Sequence, residues 1–162
     1  MKKLDFSVAI LAGVSCVFMY IQVPVWAIFI GWAWYFTLGA SPELLKKGIL
    51  PSIAGSVLAV AAFLLIDALS MIMPSMAAVI ISVIITVFAL MMTLKAPAFN
   101  PSLISFNAYS CIFVGYAAGA YMVVDGMPPL LNAAIWITGG NYIGLIFGWL
   151  SIYFSNIGSK KG

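Results

Sequence analysis

A chain of 162 residues that is 65% hydrophobic and 7% charged has no way to hide its apolar surface in a soluble fold, where about a quarter of the residues are charged. Seven lysines and four acids give a net charge of +3 without arginine or histidine, and the lysines are scattered in pairs. That excludes the clustered basic face a nucleic acid needs, and no polar stretch is long enough for a separate soluble domain. The expectation is a single polytopic membrane domain over residues 1–162, with the lipid bilayer as its solvent.

Lys2 and Lys3 precede an apolar run over residues 6–20. The start resembles a signal peptide. It lacks a small-x-small cleavage site before a polar mature region, so it reads as a retained first helix. Residues 21–24 form a tight break. The stretch 24–39, PVWAIFIGWAWYFTLG, carries three Trp, two Phe and one Tyr and no charge. At 100° per residue, Trp26, Phe29, Trp32 and Phe36 share an arc of roughly 120°, with Trp34 opposite. One face is therefore an aromatic wall, to be covered by lipid, a helix or a solute. Further runs occupy residues 49–65, 75–94, 102–124 and 129–154, closed by Asp67, Lys95, Asp125-Gly126 and the Lys160-Lys161 tail. Cys16 and Cys111 lie far apart inside apolar runs and read as small buried hydrophobes.

Six runs predict an all-α protein of six transmembrane helices. With the N-terminus inside, all seven lysines fall at the termini, the Glu43–Lys47 turn and Lys95, all on the cytoplasmic side. Five or seven spans would break that sorting. A weak repeat also shows. Thr37-Leu38-Gly39-Ala40 resembles Thr93-Leu94-Lys95-Ala96, and Pro51-Ser52 and Pro101-Ser102 follow, with Asp67 and Asp125 beyond. It predicts repeated hairpins of like orientation.

Gly140, Gly144 and Gly148, like Gly115 and Gly119, recur every four residues and predict close helix packing, in this chain or with another copy. Asn100 with Pro101 reads as an N-cap and first helical position, or as the mouth of a broken helix facing a water-filled path. Asn107, Asn132, Trp136 and Asn141 add uncharged hydrogen-bonding groups to the last two helices, for interhelical bonds or pore lining. No ionisable residue lies at mid-depth, which argues against a proton-coupled carrier. No nucleophile has a base, and no metal cluster or phosphate loop exists, so neither an enzyme nor a cofactor is expected.

Trp26-Ala27-x-Phe29-x-Gly31 with Tyr35-Phe36, the Leu45-Lys46-x-Gly48 turn and Gly144-Leu145-Ile146-Phe147-Gly148 resemble the small bacterial inner-membrane proteins grouped as domain of unknown function 1097. The resemblance runs from about Pro24 to Leu150. It implies a bacterial inner-membrane location and brings no functional residues.

The residues together predict a channel-like, uncoupled, homo-oligomeric facilitator of a small neutral polar solute, with urea-like amides as the example. The expected solute path is Trp26, Phe29, Trp32, Phe36, Asn100, Asn107, Asn132, Trp136 and Asn141. The alternative is a non-transporting membrane subunit that packs against a partner. Reporter fusions test the topology. A fusion at Gly162 should read cytoplasmic and one at Gly126 external; the same side for both would overturn six spans with both termini inside.

Overall fold

The computed structural model describes residues 3–157, so Lys2, Lys160 and Lys161, which carry part of the charge sorting, lie outside the described residues. Helix α1 (Lys3–Ser15) runs on as a 3-10 segment over Cys16–Ile21. Then come α2 (Val25–Thr37), the single turn α3 (Leu44–Lys47), α4 (Ile49–Leu69) and α5 (Ser75–Thr93). A short 3-10 turn over Pro97–Phe99 leads to α6 (Ser102–Ala117), and α7 (Pro129–Asn156) ends the described chain. No strand occurs among the described residues.

Four stretches, Lys3–Ile21, Leu44–Leu69, Ser75–Thr93 and Pro129–Asn156, are long and apolar enough to cross a bilayer. The apolar helices α2 and α6 have 13 and 16 residues. At 1.5 Å per residue they reach only about 20 and 24 Å, short of a hydrocarbon core of about 30 Å.

Burial is the reverse of a soluble protein. Ile84, Phe88 and Val57 face outward, whereas Ser15, Ser82, Ser105, Asn132 and Asn141 are fully buried. Every charged residue among the described ones is exposed. That is the make-up of a multi-pass membrane protein, in which lipid covers the apolar exterior. Around α3, the hydrogen bond from Lys47 and then its charge hold the Glu43 carboxyl below its usual range.

Two glycine contacts organise the bundle. A Cβ on Gly144 of α7 would collide with the carbonyl of Ile28 and lie 2.6 Å from the amide nitrogen of Trp32 on α2. A Cβ on Gly55 of α4 would collide with the carbonyl of Ser105 and lie 3.0 Å from the amide nitrogen of Tyr109 on α6. Each glycine thus meets a carbonyl and the amide one turn further on. In that register Val25 and Ser102, the first residues of α2 and α6, coincide, and each follows a proline.

The correspondence extends to whole helices. Helix α2 lies along α7 as α6 lies along α4, and α1 packs on α7 as α5 packs on α4. So the unit α1–α2–α4 matches α5–α6–α7. Helices α4 and α7 run antiparallel, because Leu45 meets Tyr142 while Ser56 meets Thr138. The two halves are therefore inverted. The structural repeat thus pairs α4 with α7, whereas the expected sequence repeat paired α4 with α6. Pro51 lies inside α4 whereas Pro101 precedes α6, and Asp67 is helical whereas Asp125 is in a loop.

Three further expectations change. The fifth run ends at Ala117, not near residue 124, because Gly119 takes a left-handed φ of +62 just past the helix end. Nothing lies near it, so Gly119 stops a helix and packs against none, whereas Gly115 meets Ile137 and Trp26. Asn100 is not the N-cap of α6. Pro101 holds that position without a side-chain cap, and Asn100 is extended and exposed, as a residue preceding proline prefers. Gly140, Gly144 and Gly148 all meet α2 or Pro24 at its start, so the face that motivated a homo-oligomer is filled within the chain.

The glycine contacts give a direct test. Gly144→Ala and Gly55→Ala each force two backbones apart and should lower stability in detergent by about 1–3 kcal/mol or more. Gly13→Ala, on an exposed face with nothing near its Cβ, should be neutral or stabilising. Thermal unfolding measured by tryptophan fluorescence reads the difference. Equal unfolding temperatures for all three variants would refute close backbone contact.

Candidate functional site

The contact of α2 with α7 is tightest at Gly31, where a Cβ would collide with the backbone carbonyl of Asn141. The Asn141 side chain lies beside the Cys111 thiol of α6, at the meeting of α2, α6 and α7. Asn141 is fully buried, and neither atom of its amide makes a hydrogen bond of ordinary geometry; the thiol of Cys111, a weak hydrogen-bonding group, lies beside it. Nearly all buried polar groups in native proteins are bonded. An unpaired one costs on the order of 1–3 kcal/mol.

The inverted register places Ser52 of α4 in the position equivalent to Asn141. Ser52 is buried as well, and its hydroxyl also lacks a partner. More unpaired donors lie on the same helices: the indole nitrogens of Trp32 and Trp34 and the Tyr35 hydroxyl on α2, and the Trp136 indole nitrogen on α7. Elsewhere most buried polar groups find partners, the Ser82 hydroxyl on α5 excepted. Ser7 donates to the Ser151 carbonyl at 2.9 Å, and the Thr86 and Tyr109 hydroxyls meet at 2.9 Å. The unpaired set offers N–H and O–H donors and one amide, with no charge. Such groups can replace water around a neutral molecule and hold no metal ion, and no cluster of metal-binding side chains occurs among the described residues.

The structure separates the residues expected to line one path. Trp32 is buried against Phe147 at a ring-centroid distance of 5.6 Å, in a cluster that includes Leu11 of α1. Phe36 packs partly into the same cluster, whereas Phe29 stacks on Trp32 and is exposed. The aromatic wall is thus largely packed against α1 and α7. Trp26 donates its indole N–H to the Ala120 carbonyl at 3.1 Å and so pins the start of the loop before α7. Asn132 pins its end, accepting from the Val124 amide and donating to the carbonyls of Val124 and Met127. Asn107 is half-buried on α6, Asn100 is exposed outside the helices, and Trp136 is half-buried on α7. Of the expected path, Asn141, Trp32 and Trp136 carry the unpaired groups.

Sequence reasoning missed Ser52, Trp34 and Tyr35. Trp34 had a signal. It falls opposite the aromatic wall, and a helix aromatic on all sides is one buried on all sides; Trp34 and Tyr35 are indeed buried more deeply than most of the wall. Ser52 had none, because only the glycine register relates it to Asn141.

A groove of about 570 Å³ opens between α4 and α7, the two helices that the inverted halves exchange. Ile53, Val57, Leu131 and Ile135 form its exposed rim. Ser56 and Thr138, hydrogen-bonded at 2.7 Å, join the two helices in the groove, and Ser52 lines it too.

No curated protein and no solved structure matches the chain. A family profile does match, over residues 6–156, and it covers all of α2 through α7, including both glycine contacts and the unpaired polar groups. The chain belongs to the family described as "Protein of unknown function (DUF1097)".

Proposed function

We propose that the protein is a six-span facilitator, with both termini cytoplasmic, that moves a small neutral solute down its gradient across a bacterial inner membrane. One observation carries this reading. Equivalent positions in the two inverted halves, Asn141 and Ser52, each hold a buried polar side chain that no hydrogen bond of ordinary geometry satisfies, Asn141 having the weakly bonding Cys111 thiol beside it. A protein that only packed against a subunit would gain by pairing these groups or by replacing them with apolar ones. Inverted-repeat membrane proteins place their solute sites near mid-depth, where the repeats meet. The alternation of helix direction supports six spans, with α2 and α6 carried across by their long partners. The exposure of every described charge supports uncoupled passage, since coupling to protons needs a titrating group within the membrane field. No enzymatic step is part of this reading.

Asn141→Leu separates transport from packing. The two side chains are close in volume, so the variant should unfold at the same or a higher temperature while solute flux falls at least tenfold. Flux is read by stopped-flow light scattering of proteoliposomes with a panel of neutral solutes. Collapse of the membrane potential and pH gradient, or Asp67→Asn, should leave the flux unchanged. Lower stability with intact flux in Asn141→Leu would mark the residue as structural, and accumulation abolished by a protonophore would mark a coupled carrier.

A further inference from the structure

We infer that the protein moves as two three-helix bodies, α1–α2–α7 and α4–α5–α6, which hinge apart along the seam between α6 and α7 and so open the buried Asn141 to water. The division follows from which contacts join which helices. Gly31, Gly144 and Gly55, where a Cβ would strike another helix's backbone, each seat a short helix on the long helix of its own body. Ring contacts between helices do the same. Trp32 and Phe18, in the 3-10 extension of α1, meet Phe147, and Phe63 meets Phe113 and Tyr116. The bonds of Ser7 to the Ser151 carbonyl and of Thr86 with Tyr109 also stay within one body. Across the seam the contacts are of another kind. Gly115 meets the side-chain ends of Ile137 and Trp26, and the Ser56–Thr138 hydroxyl pair links α4 to α7. Helix α1 makes no substantial contact with α4, α5 or α6.

Apolar side chains gain little by meeting each other rather than lipid, so a seam of side-chain ends is the weak plane of the bundle and interlocked backbones are the strong ones. The groove of about 570 Å³ between α4 and α7 marks where the seam is incompletely filled. The chain crosses between the bodies from α2 to α4 and from α6 to α7. The first crossing is tied to α7, because Tyr142 donates to the Leu45 carbonyl of α3, which leaves Gly48 between α3 and α4 as the joint. The second is tied to the same body at both ends, by Trp26 on Ala120 and by Asn132 on Val124 and Met127. That leaves Gly119 as its joint, at a φ of +62 with nothing near enough to hinder its turning. Asn141 lies on one side of the seam and the Cys111 thiol beside it on the other. The Asn141 side chain is fully buried, so a solute reaches it only when helices move. The inference deepens the transport reading by giving it a hinge in place of a standing pore, and rests on that reading for the passage of solute.

Cys111 reports the opening. The full-length protein with Cys16→Ser is placed in nanodiscs and treated with a charged methanethiosulfonate, which modifies thiols that water reaches, and modification of Cys111 is followed by mass spectrometry. A second chain, with Cys16→Ser and Cys111→Ser, carries Ala78→Cys, buried on α5 away from the seam, as the gauge of general unfolding. Local opening should make Cys111 react about tenfold faster, or more, than the Ala78→Cys thiol. Ser56→Ala, which breaks the hydroxyl pair across the seam, should speed Cys111 about threefold, the worth of one hydrogen bond between membrane helices, and leave Ala78→Cys unchanged. Oxidising the pair Ser56→Cys and Thr138→Cys, at positions whose hydroxyls meet at 2.7 Å, should abolish both Cys111 modification and neutral-solute flux in the light-scattering assay, and reduction should restore them. Equal rates for Cys111 and the Ala78→Cys thiol, or a Cys111 rate that neither Ser56→Ala nor the cross-link changes, would overturn the inference. Opening in a protein that passes no solute would keep the hinge and remove the transport reading. Flux that persists in the cross-linked protein would remove the hinge and leave transport along a fixed path.

Discussion

The structure depends on two places where one helix backbone lies directly on another, Gly144 on Ile28 and Trp32, and Gly55 on Ser105 and Tyr109. In lipid, apolar side chains gain little by leaving solvent for one another, so helix association rests on close packing and on polar contacts. A small residue at the crossing brings whole backbones into van der Waals range. That explains how helices of 13 and 16 residues find a fixed place in a bundle of longer ones. Each short helix is seated on a long partner from the opposite half, and the exchange binds the halves together.

The same solvent sets what remains inside. With every described charge at the surface, the interior holds hydroxyls, indoles and amides. Most pair, and the pairs tie helices together: Ser7 with Ser151, Ser56 with Thr138, Thr86 with Tyr109. The exceptions concentrate on α2, α4 and α7, the helices of the glycine contacts and the groove. Each unpaired group destabilises the fold, and a local cost of that kind is a mark of functional sites. The interior is therefore sorted into bonded groups that build the bundle and groups that the bundle leaves unbonded.

Much of this was legible in the residues. Runs of apolar sequence located the helices within a few positions, apart from the end of α6, which stops seven residues early at Ala117, since length and hydropathy decide what a bilayer accepts. The glycines at 140, 144 and 148 marked a packing face, although sequence left open whether the partner belonged to the same chain. What spacing failed to distinguish was two uses of one residue type. Gly115 packs and Gly119 ends a helix, yet both sit in one four-residue pattern, and only the positive φ at Gly119 tells them apart. Asn132 and Asn141 likewise share a helix and a chemistry. Asn132 lies one turn into α7, within reach of the loop backbone it bonds, and Asn141 lies deep among side chains. The inverted relation was invisible because it is kept by backbone contacts between residues of different type.

The halves match in backbone and differ in side-chain volume, and the difference is greatest at the layer of the unpaired groups. Where α6 has Cys111 beside Asn141, the equivalent position of α2 holds the buried Trp34. The small residues Ala108, Cys111 and Gly115 let α6 pack along α7. With Trp34 buried in the equivalent place, α2 makes no comparable contact with α4. An inverted repeat with identical side chains would present the same surface to both sides of a membrane. Exchanging one indole for one thiol at equivalent positions removes that equality. Asn141 becomes the enclosed member of the pair, and Ser52 the one that borders the groove.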